Sequence, residues 1–187
     1  VGYNISEGIV SVFAGLLAGS IALVGFGLDS FVESLSGMVM VWRFRKHGRI
    51  SKEEEEKVEI MATRLVGYSF FVLAAYVFYE SFKKLYLGEI PQPSILGIII
   101  AVVSFVVMPV LFYVKYRTAK SINSKSLGAD AKETLACIFL SIALLSGLGL
   151  NYLYGFWQAD PIVGFVIVVF LMREGYTIMK EMRSSIS

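Results

Sequence analysis

Apolar residues in this chain are gathered into stretches of roughly 20, separated by short polar or charged segments, and roughly 20 residues is what an α-helix needs to cross a hydrocarbon core about 30 Å thick. The pattern predicts six spans, at about 1–19, 21–43, 62–85, 94–116, 127–150 and 160–182. Only a tight turn near Ser20 divides the first two. Between the third and fourth lies Gly88-Glu89-Ile90-Pro91-Gln92-Pro93, whose two prolines prevent a continuous helix. The sixth opens on Asp160-Pro161, read as an N-cap followed by the residue favoured at the first helical position. The expected fold class is all-α: a polytopic, multi-pass integral membrane protein of six transmembrane helices, with residues 1–187 forming a single membrane domain and no soluble domain. The sequence does not say which membrane it occupies.

Composition agrees, with 56% hydrophobic and 17% charged residues and a mean hydropathy of +0.69, values that argue against a water-soluble enzyme. One cysteine excludes an intramolecular disulfide framework and any CxxC motif, and a net charge of +2 gives no reason to expect nucleic acid. Charge placement is more informative than the total. Arg43, Arg45, Lys46, Arg49, Lys52, Lys57 and Arg64 surround the loop between spans two and three; Lys115, Arg117, Lys120, Lys125 and Lys132 surround that between four and five. Arg173, Lys180 and Arg183 lie near the C-terminal end, and Lys83 and Lys84 fall on the other side. By the positive-inside rule both termini are expected to be cytoplasmic. The run from Lys52 to Lys57 reads as a solvated helical lead-in to span three, His47 as a surface residue of a basic loop, and Tyr152, Tyr154 and Trp157 as interfacial anchors.

Chemistry has to come from polar groups placed where the bilayer penalises them. Asp29 and Glu33 are four residues apart, so they share one helical face about 6 Å apart along the axis, at depths of about 12 and 18 Å into span two. A charged carboxylate at mid-membrane costs about 2.5 to 3.5 kcal/mol on insertion scales, so two in register call for a cation, a proton or water, unless both are protonated and hydrogen-bond between helices. Span five supplies a complement: Glu133 and Cys137 are also four apart, with Asp130 one turn earlier. If spans two and five pack together, Asp29, Glu33, Glu133 and Cys137 offer three oxygen donors and one sulfur, a set that suits a tetrahedral cation such as Zn²⁺, with Mn²⁺, Fe²⁺ and Co²⁺ as alternatives. A lone membrane cysteine also serves as a small apolar filler, so the ligand and packing readings of Cys137 both stand. Glu7, at a depth close to that of Glu33, and Asp130 are candidate accessory or gating residues. For each the plainer reading is solvation near the cytoplasmic mouth, with a local ion pair for Asp130.

These residues carry a resemblance. Ala18-Gly19-Ser20-Ile21-Ala22-Leu23 followed by Leu28-Asp29-Ser30-Phe31-Val32-Glu33, the stretch Ala129 to Cys137, Ala159-Asp160-Pro161 and Arg173-Glu174-Gly175-Tyr176 together resemble the cation diffusion facilitator, or cation efflux, family. The resemblance implies a metal/proton antiporter that works as a homodimer. It also implies metal-binding positions at Asp29, Glu33, Glu133 and Cys137, though Glu33 stands for a usual aspartate, Glu133 for a histidine or aspartate, and Cys137 for an aspartate. Members typically continue into a cytoplasmic ferredoxin-like domain, whereas this sequence ends at Ser187 directly after span six, as expected of a short or trimmed member.

A mechanism follows from electrostatics. Asp29, Glu33 and Glu133 cannot all ionise close together in low dielectric, so the metal-free site holds protons that metal entry expels, which makes protons the coupling ion. Glycines 15, 19, 25, 27 and 37 permit close approach of spans one and two, or simply serve as small-residue packing. Two other classes remain open: a membrane metal sensor without transport, and a proton-coupled exporter of organic cations using Asp29 and Glu33 alone. No HExxH or Ser/His arrangement of a hydrolase appears in the spans.

Overall fold

The computed structural model describes residues 1–46, 52–92, 94–122 and 125–186. They form six helices: α1 (Gly2–Ala18), α2 (Ile21–Lys46), α3 (Lys52–Leu87), α4 (Ile95–Ser121), α5 (Lys125–Tyr154) and α6 (Ala159–Ile186). Each expected span lies within or close to one helix, and most helices run past it. Hydropathy registers only the lipid-length portion, whereas the backbone hydrogen-bond ladder continues into water. The charged run from Lys52 to Lys57 accordingly belongs to α3 as one uninterrupted helix with the span. His47 lies outside the described residues.

Among the described residues four helices contain segments long and apolar enough to cross a membrane, at Ile21–Trp42, Ile95–Ser121, Asp130–Tyr154 and Ala159–Lys180. Large apolar side chains point outward all round the bundle, among them Leu17, Val72, Val106, Leu153 and Val169. Such a surface belongs in lipid, and the molecule is an all-α, multi-pass integral membrane protein.

Three helix pairs, α1 with α2, α3 with α6 and α4 with α5, make up the bundle, and α2 also touches α3, α5 and α6. Its central place is written in its first turns, where Leu23 and Phe26 are buried against Val77, Leu144, Ile167 and Leu171. Helices α1 and α2 lie almost in backbone contact: a Cβ on Gly27 would stand 2.8 Å from the Val12 nitrogen. The turn between them is made by Gly19, whose φ of 63° is open to glycine at little cost. The Ser20 N–H then donates to the Gly15 carbonyl at 2.9 Å.

The start of α6 departs from expectation. The helix begins at Ala159, so Asp160 sits inside its first turn and does not cap it. Its carboxylate caps α2: Oδ2 accepts the Ile21 N–H at 3.0 Å and Oδ1 accepts the Ser20 hydroxyl. Ser20 Oγ in turn accepts the Leu23 N–H at 3.2 Å. Lys84 of α3, 3.7 Å from Asp160 Oδ2, donates to the Gly19 carbonyl. The tight turn buries the start of α2, where its free N–H groups need partners that water cannot supply, and the neighbouring acid of α6 meets that need. Two more bonds stitch the same end: the Gln92 N–H to the Ala18 carbonyl at 2.7 Å and Asn151 Nδ2 to the Pro91 carbonyl at 3.2 Å.

Candidate metal centre

Going from mid-helix toward the end that carries the α2–α3 and α4–α5 connections, α2 presents Asp29, Glu33 and Ser36, while α5 presents Cys137, the adjacent pair Glu133 and Thr134, and Asp130. The four-residue spacing places each set on one face. The faces meet: Cys137 Sγ is 3.3 Å from Asp29 Oδ2 and 3.4 Å from Glu33 Oε2, and all three residues are buried. The Thr134 hydroxyl donates to Glu33 Oε1 at 2.6 Å. One turn further, Lys115 reaches in from α4, its Nζ 3.2 Å from Glu33 Oε1, 2.8 Å from Thr134 Oγ1 and 3.0 Å from Asp130 Oδ2. Ser36 donates to the other Asp130 oxygen at 3.4 Å.

Beside this network lies a cavity of about 10 Å³ lined by Asp29, Glu33, Glu133, Cys137 and, from α6, Glu174, with apolar walls that include Phe70 and Leu171. Its volume is on the order of the ~10–15 Å³ that one water needs. Glu133 Oε2 is buried with no hydrogen-bond partner among the described residues, a costly arrangement unless something else visits that oxygen. The expected four residues therefore line one cavity. Among the described residues no group of three such side chains stands ready-closed as a metal-binding set. The four side chains are gathered around one space without converging on a single point, and their carboxylate oxygens and thiol are donors of the kind a d-block cation accepts.

The accessory residues differ from expectation. Glu7 is not solvated: it is 6% exposed, accepts the Tyr3 hydroxyl at 2.9 Å and the Ser30 hydroxyl at 3.0 Å, and is not among the residues lining the cavity. The near-contact of α1 with α2 presses it into the protein. Asp130 is likewise buried, and the ion pair expected of it is made with Lys115 of α4.

Three residues of these buried networks are not singled out by spacing or hydropathy in the sequence reading. Lys115 counts there as a loop cation, although it falls within the predicted fourth span, where an ionisable residue requires a partner. Glu174 enters only as part of a motif, yet an acid fourteen residues into an apolar span carries the same signal as Asp29. Lys84 counts only toward orientation, and nothing local announces that it reaches the α1–α2 turn.

Residues 4–187 match the family described as the cation efflux transmembrane domain. Among similar proteins, an uncharacterized transporter of Synechocystis sp. is 22% identical over 174 residues, covering 91% of this chain and 56% of the relative. The cadmium, cobalt and zinc/H(+)-K(+) antiporter of Bacillus subtilis is 20% identical over 178 residues, covering 92% and 57%. The manganese efflux system protein MneS of the same organism is 20% identical over 182 residues, covering 95% and 62%. The chain thus spans about three fifths of the length of these relatives. With the profile matched over nearly all its residues and the acid-lined cavity between α2, α5 and α6, the chain belongs to the cation efflux family.

Proposed function

We propose that the protein is a secondary transporter that exports a divalent transition metal ion, Zn²⁺ foremost, in exchange for protons, and that Asp29, Glu33, Glu133 and Cys137 are its metal ligands. The observation that carries this reading is the cavity to which α2 and α5 bring three carboxylates and a thiol, one carboxylate oxygen lacking a hydrogen-bond partner among the described residues. Oxygen donors alone accept Mg²⁺ and Mn²⁺ readily, and the sulfur shifts preference toward softer, later ions. The names of two relatives, a cadmium, cobalt and zinc antiporter and a manganese efflux protein, support the metal class.

Exchange follows from the donor set. Carboxylate and thiolate bind a metal in their deprotonated forms, so loading releases protons and protonation favours release. Alternating exposure of the site to the two sides makes that linkage a transport cycle. Residues 1–187 act in this reading as one transport unit, and the family resemblance adds a homodimer. The compact cavity, too small for an organic cation, favours metal as cargo.

The test is flux in liposomes holding the purified protein, with Zn²⁺, Cd²⁺, Mn²⁺ and Mg²⁺ supplied in turn and internal pH followed by a dye. Zn²⁺ movement accompanied by counter-movement of protons, both lost in Asp29→Asn, is the expected result. Metal binding without flux would make the protein a sensor, and flux of organic cations without metal binding would replace the reading altogether.

A further inference from the structure

Lys115 has no part in the proposed transport step, yet its ammonium is held by one of the proposed ligands. Its stem runs from α4 past α5, and Nζ meets three oxygens: Glu33 Oε1 at 3.2 Å, Thr134 Oγ1 at 2.8 Å and Asp130 Oδ2 at 3.0 Å. An ammonium has three protons to give, so its capacity is filled. The side chain is 21% exposed, against 2% for Glu33 and 4% for Asp130, so Lys115 stands at the edge of the network. Glu33 is divided by this contact, with Oε1 turned to Lys115 and Thr134 and Oε2 toward Cys137 at 3.4 Å.

If Lys115 served only to satisfy a stranded buried acceptor, the acid with an unpaired oxygen would be the one to pair. That acid is Glu133, whose Oε2 has no hydrogen-bond partner among the described residues. The lysine instead engages Glu33, one of the two acids that touch Cys137. It also has a second acid in hand: Asp130 is buried, 3.0 Å away, and is not among the residues lining the cavity.

We propose that Lys115 is a tethered cation that competes with the transported metal for Glu33, with Asp130 holding the ammonium when the metal takes that carboxylate. The inference rests on the metal-centre reading and adds to it the residue that sets affinity. A divalent ion in the cavity and an ammonium a few ångströms away repel strongly in a low-dielectric interior, so Lys115 raises the free energy of the loaded state relative to the metal-free one. Weak enough binding is what a carrier needs in order to let its cargo go. The flexible stem of lysine, carrying a compact point charge, suits a group that has to shift from two acids to one; the planar fork of arginine does not. Lys115 is thus a positioning residue, acting on the metal through Glu33 and not as a ligand.

The experiment is calorimetric titration of the full chain, purified in lipid nanodiscs, with Zn²⁺ at fixed pH. Thermal unfolding of each metal-free variant serves as the control for folding. Lys115→Met is expected to tighten Zn²⁺ binding by at least about tenfold and, in liposomes, to lower KM and kcat together, the signature of cargo held too well. A residue that merely supports the fold would weaken binding when removed, never tighten it. Lys115→Gln keeps hydrogen-bond donors while removing the charge, and is expected to tighten binding in the same direction, so it decides the matter if Lys115→Met does not fold. Lys132→Met, at an exposed lysine of α5, is expected to leave affinity unchanged. Unchanged or weaker Zn²⁺ binding in a folded Lys115→Met or Lys115→Gln overturns the role of Lys115, provided that Asp29→Asn still abolishes binding. Wild-type binding that survives Asp29→Asn overturns the metal-centre reading instead.

Discussion

Two lysine–aspartate pairs occupy two levels of this bundle, and their surroundings differ. At the stitched end, Lys84 and Asp160 make one positive and one negative charge, and the aspartate oxygens are both taken, by the Ile21 N–H and the Ser20 hydroxyl. At the cavity level, Lys115 is shared between two acids, Glu33 and Asp130, and Asp29 and Glu133 line the cavity with Glu33. Glu133 keeps a buried oxygen with no hydrogen-bond partner among the described residues. A pair whose oxygens are taken up by a backbone N–H, a hydroxyl and its own counter-charge fixes geometry, because nothing is left to bind. A lysine shared between two acids, beside a cavity lined by further carboxylates, leaves room for a cation to act. The same two residue types therefore close one end of the bundle in one place and border the acid-lined cavity in the other.

The contrast can be broken most forcefully at the closed end. Asp160→Ala strands Lys84 and the first N–H groups of α2, and loss of one partner of a buried pair costs about 3–5 kcal/mol. A large drop in the melting temperature of the detergent-solubilised protein is expected, with Zn²⁺ binding by the surviving folded fraction unchanged. Equal loss of affinity and stability would mean that the two levels are not separable. Next in size, Glu33→Gln is expected to lower Zn²⁺ affinity by more than the ~10–100-fold that loss of an outer-shell partner costs, read by titration, with little change in melting. A large fall in stability there would place Glu33 with the structural pair.

Glu7 sharpens the comparison because it is an acid near the site whose oxygens are already engaged, by Tyr3 and Ser30. By the rule above it belongs with the closed pair. Glu7→Gln is expected to cost about 1.5–3 kcal/mol in stability, the range for hydrogen bonds to a charged group, and to slow flux without abolishing Zn²⁺ binding. Abolished binding would make Glu7 a ligand. The smallest effect is expected at Cys137. Cys137→Asp keeps a donor but removes the soft one, so competition flux is expected to broaden toward Mn²⁺ by several-fold, on the order of 1 kcal/mol. An unchanged metal ranking in both Cys137→Asp and Cys137→Ala would assign the thiol to packing.

What the sequence discloses divides along the same line. The helices and their number are legible, because runs of about 20 apolar residues have few other uses. Asp29, Glu33, Glu133 and Cys137 are legible too, since spacing by four puts each pair on one face and an acid inside a span draws attention to itself. Lys115 and Lys84 are not: a four-carbon stem carries the charge away from where its Cα stands, so placing the residue on the chain does not place the ammonium. Asp160 misleads for a related reason. Asp-Pro at a helix start is the pattern of a self-cap, but the carboxylate goes to whichever buried N–H groups lack water, and those belong to a helix about 140 residues earlier in the chain.

That exchanged cap makes the start of α2 a fulcrum. Helices α2 and α6 are tied there through Asp160, and α3 through Lys84, so relative movement of these helices has the geometry of tongs, with amplitude growing with distance from the tie. Glu33 lies twelve residues beyond Ile21, about 18 Å along the axis at 1.5 Å per residue. A tilt of about 5° about the tie then carries its carboxylate by roughly 1.6 Å, comparable with the ~2 Å length of a metal–oxygen bond. Angular changes too small to disturb the packing near Leu23 and Phe26 are thus amplified, at the level of the cavity, to the scale of a metal–oxygen bond.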